Sequence, residues 1–220
     1  MNEAAPWQGR IWRSSGAAVF QGRGGPTATH AHPAYKFVLG ARVEGATARE
    51  GNCLLVPPGS PHVVAADDVV TLVYLDARVY DADAARRLGA RLARAGAHSD
   101  FEAMSDDVRA LPPTAHEREV RVLLERFMAG ERRGDIARWL GRSTSHVTHR
   151  VSGSTGIALR AWRTWSRVLH SVDLIGHGAT VTEAAHEAGF ADSPHLWRQC
   201  RSTLGISPST LAGSRFVFAR

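Results

Sequence analysis

The sequence predicts an α+β protein, with a small β-barrel or sandwich in its first half and an all-helical second half. Short apolar runs separated by Gly and Pro fill residues 7–75, which is typical of a compact β unit. After Asp76 the apolar residues recur at helical spacing. The charge changes too: residues 1–115 hold 12 basic and 12 acidic residues, whereas residues 116–220 hold 15 and 9, which accounts for the net +6. Such a basic half indicates either a polyanion-binding module or an ordinary arginine-rich surface.

Runs rich in β-branched and aromatic residues predict the strands of the first half. They are AAVF at 17–20, YKFVL at 35–39, CLLV at 53–56 and VVTLVYL at 69–75. Turn signals separate them, namely GRGGP at 22–26 and PPGSP at 57–61. This regular alternation of short strands and turns favours a closed or sandwiched sheet over an open one.

The segment 81–130 is predicted to be a helical linker that contributes to dimerisation. Ala85, Leu88 and Leu92 repeat at helical spacing, and the stretch 97–115 is predicted to be irregular. A stronger amphipathic pattern with i, i+3, i+4, i+7 spacing follows at Val120, Leu123, Leu124 and Phe127.

Residues 134–151 have the pattern of a helix-turn-helix. Ile136 and Leu140 give a short helix an apolar face, and Gly141 follows as a turn residue. Ser143 is predicted to be the N-cap of the next helix. The layout is that of a DNA-binding helix pair, although one such match alone is a weak signal.

The same layout recurs at residues 180–205. Thr180 and Glu183 form a T-x-x-E capping box, and Gly189 ends the helix that follows. Ser193 is predicted to cap the second helix of this pair. Two candidate recognition helices therefore start 50 residues apart, at Ser143 and Ser193.

A long helix over about 157–175 is predicted to separate the two recognition helices. At a rise of about 1.5 Å per residue it spans on the order of 28 Å, close to the ~34 Å of one DNA turn. A rod of this length can place two helices in successive major grooves. Trp162 and Trp165 lie on it at helical spacing and are predicted to be core residues.

Composition excludes several classes of protein. No run of about 18 apolar residues occurs, and MNEAAPWQGR at the start lacks the pattern of a signal peptide, so we expect a cytoplasmic protein with no membrane partner. Cys53 and Cys200 are expected to be free thiols in a reducing compartment and lack zinc-finger spacing. Lys36 is the only lysine, and arginine suits bidentate contacts to phosphate and guanine.

Residues 134–210 resemble the DNA-binding domain of the AraC/XylS family of transcription regulators. The motifs are IARWLGRSTSHVTHRV and VTEAAHEAGFADSPHLWRQCRSTLGISPS, and within the latter A-x-x-A-G-F-x-D-x-x-H and L-G-I-S-P are specific. Val151 and Cys200 stand where the family usually has aromatic residues, so the apolar core is kept with smaller side chains. The resemblance implies eight DNA-binding residues, which are Ser143, Ser145, Thr148, His149, Arg150, His195, Arg198 and Arg201. The second helix is expected to contribute at least as much base readout as the first.

The first half resembles the cupin barrel, which this family commonly carries as its effector domain. Gly24, five residues and then His30-x-His32 match G-x5-H-x-H, and Gly51, five residues and then P-x-G-x-x-His62 match the second cupin motif. The fold expected from both resemblances is a cupin-like β-barrel followed by an all-α bipartite helix-turn-helix domain. Its parts are a barrel at 1–80, the linker at 81–130 and the DNA-binding domain at 131–220.

The cupin resemblance implies an effector site at His30, His32, Lys36 and His62. Three neutral imidazoles at His30, His32 and His62 can hold a divalent metal such as zinc; the cofactor is otherwise unknown. Lys36, or Phe37 if one residue is inserted, stands where metal-binding cupins have a glutamate, and neither can replace a carboxylate ligand. An inward lysine disfavours a cation and favours an anionic ligand. Three alternatives stay open: a metal-free effector pocket, a metal sensor, and an active enzyme.

We therefore expect a transcriptional regulator, not an enzyme, that binds double-stranded DNA sequence-specifically under the control of a small-molecule or metal effector in the barrel. The alternative is a metal-dependent cupin enzyme whose helical half is regulatory. A homodimer and a contact with RNA polymerase are the further partners that the family resemblance implies.

Overall fold

The computed structural model describes residues 7–14, 16–45, 47–66, 68–96, 100–114, 118–213 and 215–219 and confirms the α+β class. An antiparallel sheet region precedes a helical region. The first six residues, on which the expectation of no signal peptide partly depends, lie outside the described residues. Within the described ranges, no helix has both the length and the apolar character needed to cross a membrane.

The strands of the first half, together with one strand at residues 215–219, form two sheets. A seven-stranded sheet has the order β5-β6-β3-β8-β2-β1-β9, and a two-stranded sheet pairs β4 with β7. The strands are β1 (Gln8–Arg13), β2 (Ala17–Arg23), β3 (Ala34–Leu39), β4 (Arg42–Gly45), β5 (Ala48–Glu50), β6 (Cys53–Val56), β7 (His62–Ala65), β8 (Val69–Asp76) and β9 (Arg215–Ala219). All pairings are antiparallel except that of β9, which runs parallel to β1.

Each face of the large sheet buries its own core, because alternate side chains of a strand point to opposite faces. Val38 of β3 packs with Val64 of β7 in the core between the two sheets. Its neighbours Phe37 and Leu39 pack on the other face with the helices α1 (Ala82–Ala95) and α2 (Phe101–Arg109).

Helix α2 corrects the prediction that residues 97–115 are irregular, of which 97–99 and 115 lie outside the described residues. Asp100 caps it by accepting the Ala103 backbone N–H at 2.9 Å. Phe101, Met104 and Val108 are buried against the sheet. The apolar pattern covers only two turns and was too short to be separated from a loop by sequence alone.

The second half is helical up to residue 213. Its helices are α3 (Arg118–Met128), α4 (Arg133–Leu140), α5 (Thr144–Thr155), α6 (Leu159–Gly176), α7 (Val181–Glu187), α8 (Ser193–Leu204) and α9 (Pro208–Gly213). The long helix α6 spans about 27 Å. Trp162 and Trp165 on it are 0% and 3% exposed, so their predicted place in the core is confirmed. The helices of the segment 81–130 pack on different parts of the protein. Helices α1 and α2 pack on the sheet, whereas α3 packs on α5 and α6.

Backbone hydrogen bonds join the helical half to the sheet half. The Ala28 N–H donates to the Gly205 carbonyl at 2.8 Å, and the Ala31 N–H donates to the Ser202 carbonyl at 3.0 Å. Gly205 ends α8 with φ +77°, and a Cβ there would lie 2.6 Å from His30 Nδ1. Glycine is therefore required both by the backbone conformation and by the close approach of the two halves.

Candidate DNA interface and effector site

The first helix-turn-helix consists of α4, a tight turn and α5. Gly141 ends α4 in the left-handed conformation with φ 66°, which glycine adopts at little cost. Ser143 then accepts the His146 backbone N–H at 3.1 Å, so its predicted role as the N-cap of α5 is confirmed.

The second helix-turn-helix consists of α7 and α8. The predicted capping box is present, because Thr180 accepts the Glu183 N–H and the Glu183 carboxylate accepts the Thr180 N–H. The prediction that Ser193 caps α8 is wrong. Asp192 is the N-cap and accepts the His195 N–H at 2.6 Å, because a carboxylate also interacts favourably with the positive end of the helix dipole.

Helix α5 presents few free charges. Ser143, Ser145 and His149 are exposed, but the Thr148 hydroxyl donates to the Thr144 carbonyl within the helix. Arg150, its single arginine, pairs with a glutamate of α3 at 2.9 Å between Nε and the carboxylate. The predicted DNA-facing residues of α5 therefore share one helix, but its strongest cation is already engaged.

Helix α8 is richer in exposed cations. Arg198 and Arg201 are exposed, and His195 is half-buried against Phe190, with 5.3 Å between their ring centroids. Sequence reasoning missed Trp197, which is 43% exposed and lies 5.3 Å from the Arg201 guanidinium carbon. The sequence signal for this exposed tryptophan is its position next to Leu196 and off the buried face formed by Leu196 and Cys200.

The structure brings His30, His32 and His62 together. Their candidate ligand atoms all lie within 4.8 Å of one another. Each Nδ1 lies 2.9–3.1 Å from a backbone carbonyl, which can only accept, so each imidazole is protonated there. Three Nε2 lone pairs remain, and Lys36 Nζ lies 3.2 Å from that of His30 and 3.4 Å from that of His62. The predicted effector residues thus form one buried cluster.

Burial controls the protonation of this cluster. Desolvation, aided by the charge of Lys36, lowers the pKa of His30 to about 3 and that of His62 to about 4, and lowers the pKa of His32 as well. The imidazoles are therefore neutral at physiological pH. Desolvation also lowers the pKa of Lys36 to about 7. Keeping Lys36 charged in this environment requires an acceptor or an anion.

The donor set of the cluster fits a divalent ion such as zinc. Backbone carbonyls fix each Nδ1–H, as is usual for metal-ligating histidines, and His32 Nε2 is buried without a hydrogen-bond partner in the described structure. Lys36 competes, because Nζ contacts two of the same three lone pairs. An ion bound by His30, His32 and His62 would therefore have to displace this amine.

An apolar cavity of about 130 Å³ lies between the sheet and the helical half. On the sheet side it is lined by Ile11, Phe20 and Leu72, and on the helical side by Leu169 and Val172. Other lining residues are Arg13, Lys36, Tyr74, Asp76 and Trp165. An engineered apolar cavity of about 150 Å³ holds benzene, so this space suits a molecule of roughly one aromatic ring.

Charged groups around the cavity link the two halves of the protein. Arg13 of β1 forms an ion pair with Asp173 of α6. The Trp165 indole N–H donates to Asp76 at 3.1 Å, and Asp76 also accepts two guanidinium N–H groups of Arg78. Lys36 differs from these groups, since its hydrogen bonds in the described structure go to imidazoles and not to a carboxylate.

Comparisons with known proteins identify the class of the helical half. Residues 136–213 match the helix-turn-helix domain family, and this part of the chain is a helix-turn-helix domain of the AraC type, as its motifs predicted. No curated protein sequence matches the chain significantly.

The solved structures that resemble this chain share little sequence identity with it. ToxT from Vibrio cholerae O395 is 12% identical with a TM-score of 0.50, over 90% of this chain and 98% of its own. An apo ToxT variant from Vibrio cholerae strain SCE256 is 11% identical with a TM-score of 0.51, over 90% and 97%. Wild-type ToxT of that strain, bound to an unsaturated fatty acid, is 13% identical with a TM-score of 0.49, over 95% and 96%. The likeness to the first two of these structures, with TM-scores of 0.50 and 0.51, shows a shared fold.

Proposed function

We propose that the protein is a transcription regulator that binds DNA sequence-specifically through α5 and α8, and whose DNA affinity is set by a small effector. The observation that carries this proposal is the AraC-type domain at 136–213 docked directly on a sheet domain across an apolar cavity. Its recognition helices and their N-terminal ends carry polar and cationic residues that are exposed or half-buried, namely Ser143, Ser145, Thr148, His149, Arg150, His195, Arg198 and Arg201. This role needs a compartment that contains the genome, in line with the expected cytoplasmic location.

The position of the cavity supports control by an effector. A molecule bound there contacts both halves at once, so its affinity depends on how they are arranged. Differential affinity for two arrangements shifts their populations and thereby the affinity for DNA. Dimerisation through 81–130 and contact with RNA polymerase remain predictions of the same proposal.

The chemistry of the cavity supports a small aromatic acid as the effector. Apolar side chains from both halves suit a ring, and Lys36 supplies a buried amine without a carboxylate partner among the described residues. A carboxylate that reaches Nζ would stabilise the charged amine in its apolar surroundings. Arg13, which pairs with Asp173, lines the same cavity and offers a guanidinium as a second cation that a carboxylate ligand could contact.

A divalent metal held by His30, His32 and His62 is the second candidate effector, and the convergence of their Nε2 atoms supports it. The metal would act as a Lewis acid or as a bridge to an organic ligand. Enzymatic turnover is not part of the proposal, because neither Lys36 nor Phe37, the two candidates for the position of the glutamate ligand in metal-binding cupins, is a carboxylate.

Binding of the protein to its own promoter DNA should weaken steeply with salt, as counterion release requires. Fluorescence anisotropy with promoter DNA and with a shuffled duplex at 50–200 mM salt measures the slope and the specificity, on the order of 10³-fold or more for a specific site. Equal affinity for both duplexes, or binding that ignores salt, would contradict the proposed regulator.

Lys36→Met should change the response to the two candidate effectors in opposite directions. Methionine keeps the volume but removes the amine, so benzoate should lose its thermal stabilisation of the protein, whereas zinc should bind at least about tenfold more tightly. Thermal shift with benzoate and its neutral isostere benzamide, and calorimetric titration with zinc, measure both effects. Unchanged benzoate binding would remove Lys36 from the effector site, and unchanged zinc binding would show that the amine does not compete.

A further inference from the structure

Four arginines gather beside the first recognition helix, at a cleft of about 430 Å³. They come from two places in the chain, since Arg132 and Arg133 begin α4 while Arg160 and Arg163 lie in the first two turns of α6. We call these four residues the arginine cluster. The remaining lining residues are Phe127, Thr148, Ala158 and Leu159.

The charge of the arginine cluster is not neutralised within the described structure. None of its members forms a described ion pair, and the nearest acidic side chains along the chain are engaged elsewhere. Glu131 pairs with Arg126 at 2.7 Å, and Asp135 pairs with Arg138. Four guanidinium groups that share a cleft repel one another, so the cluster is arranged for an anion rather than for stability of the free protein.

Arg163 is fixed in place by the protein itself. Its Nη2 donates to the backbone carbonyls of Phe127 at 2.9 Å and Glu131 at 2.8 Å, and its guanidinium carbon lies 3.9 Å from the Phe127 ring centroid. Its Nε is buried with no hydrogen-bond partner in the described part of the chain. The other three cluster arginines, Arg132, Arg133 and Arg160, are exposed and can close on a ligand.

The ends of two helices add to the positive potential of the cleft. Helices α4 and α6 have Arg132 and Ala158 as N-caps, and neither side chain accepts a hydrogen bond from the first turn. The N-caps described for α1, α2, α5, α7 and α8 all do. The free N–H groups of α4 and α6 therefore reinforce the preference of the arginines for an anion.

The cleft is continuous with the proposed DNA interface. Arg133 Nη1 lies 3.3 Å from the hydroxyl of Thr148, a residue of α5 predicted to face DNA. Helix α5 itself offers little free charge, because Arg150 is paired with Glu119. An anion that approaches α5 along the DNA is the phosphate backbone at the edge of the groove.

We propose that the arginine cluster binds phosphates of the DNA backbone beside α5, so that backbone contacts hold the first helix-turn-helix on DNA and α8 supplies more of the base readout. This inference rests on the proposed DNA-binding function. The arginine cluster would supply the DNA affinity of the first helix-turn-helix, which α5 itself cannot supply because its single arginine is paired.

The test is the full-length double variant Arg132→Ala/Arg160→Ala, which leaves the structural contacts of Arg163 intact. Affinity for promoter DNA and for a shuffled duplex should fall by a similar factor, on the order of tenfold, and the plot of log affinity against log salt should become less steep by about two units. The double variant Arg42→Ala/Arg49→Ala, which removes two exposed arginines from β4 and β5, is the matched control and should change neither quantity.

The outcomes separate this inference from the proposed function. If the unmodified protein shows no salt-dependent DNA binding, the proposed function fails first. If it binds but the double variant keeps the full slope, or loses affinity for promoter DNA alone, the phosphate assignment is overturned.

Discussion

Arg198→Ala should weaken binding to the cognate operator by about 1–3 kcal/mol and leave binding to unrelated DNA nearly unchanged. Arg198 is exposed on α8, two turns from the N-cap at Asp192, where side chains of a recognition helix reach base edges. Guanidinium groups read guanine bidentately, so the loss should be concentrated at one base pair of the site. Titration of the variant against operators substituted at single base pairs measures this.

Arg49→Ala is the matched control for this prediction, because Arg49 is exposed on β5, in the sheet half. It should bind every duplex like the unmodified protein. An equal loss on all sequences with Arg198→Ala would demote Arg198 from base readout to a phosphate contact. Full retention of affinity would remove it from the interface.

Gly205→Ala should loosen the contact between the two halves of the protein. The added Cβ would lie 2.6 Å from His30 Nδ1 and from Thr27 Cβ and 2.9 Å from the Ala28 carbonyl oxygen. It would also place a side chain at φ +77°, which costs about 1–2 kcal/mol by itself. We expect a lower unfolding temperature, faster proteolysis between the halves and a smaller effect of the effector on DNA affinity.

Gly156→Ala separates the backbone cost of a side chain at positive φ from the cost of a steric clash between the two halves. Gly156 ends α5 at φ +70°, just as Gly205 ends α8, but a Cβ there meets nothing within 4 Å. This variant should show the backbone cost alone and keep both the resistance to proteolysis and the coupling to the effector. If the two variants behave alike, contact at Gly205 does not hold the halves together.

Features encoded in a few neighbouring residues could be predicted from the sequence. The N-cap at Ser143, the capping box of Thr180 and Glu183, and the buried places of Trp162 and Trp165 depend on local hydrogen bonds and helical periodicity. The α+β class and the AraC-type domain follow from the same local patterns repeated along the chain.

Features that depend on distant parts of the chain could not be predicted. Lys36 stands six residues after His30 in the sequence, but only the fold brings His62 to the same amine and closes the cluster. The cavity likewise combines strand residues with residues of α6, and no pattern in either segment indicates the other. The N-cap of α8 is Asp192 and not the adjacent Ser193. Both residue types cap helices well, so only the backbone geometry decides which of the two is the N-cap.

Strand β9 constrains how the protein can respond. After the second helix-turn-helix the chain returns to the sheet and pairs in parallel with β1, from Gln8 opposite Arg215 to Trp12 opposite Ala219. The helical half is thus joined to the sheet both at its N-terminal side, where the chain leaves β8, and at its C-terminal side, where the chain returns as β9. Complete separation of the two halves would require breaking the pairing of β9 with β1, so we expect a truncation that removes residues 215–219 to weaken the attachment of the helical half to the sheet.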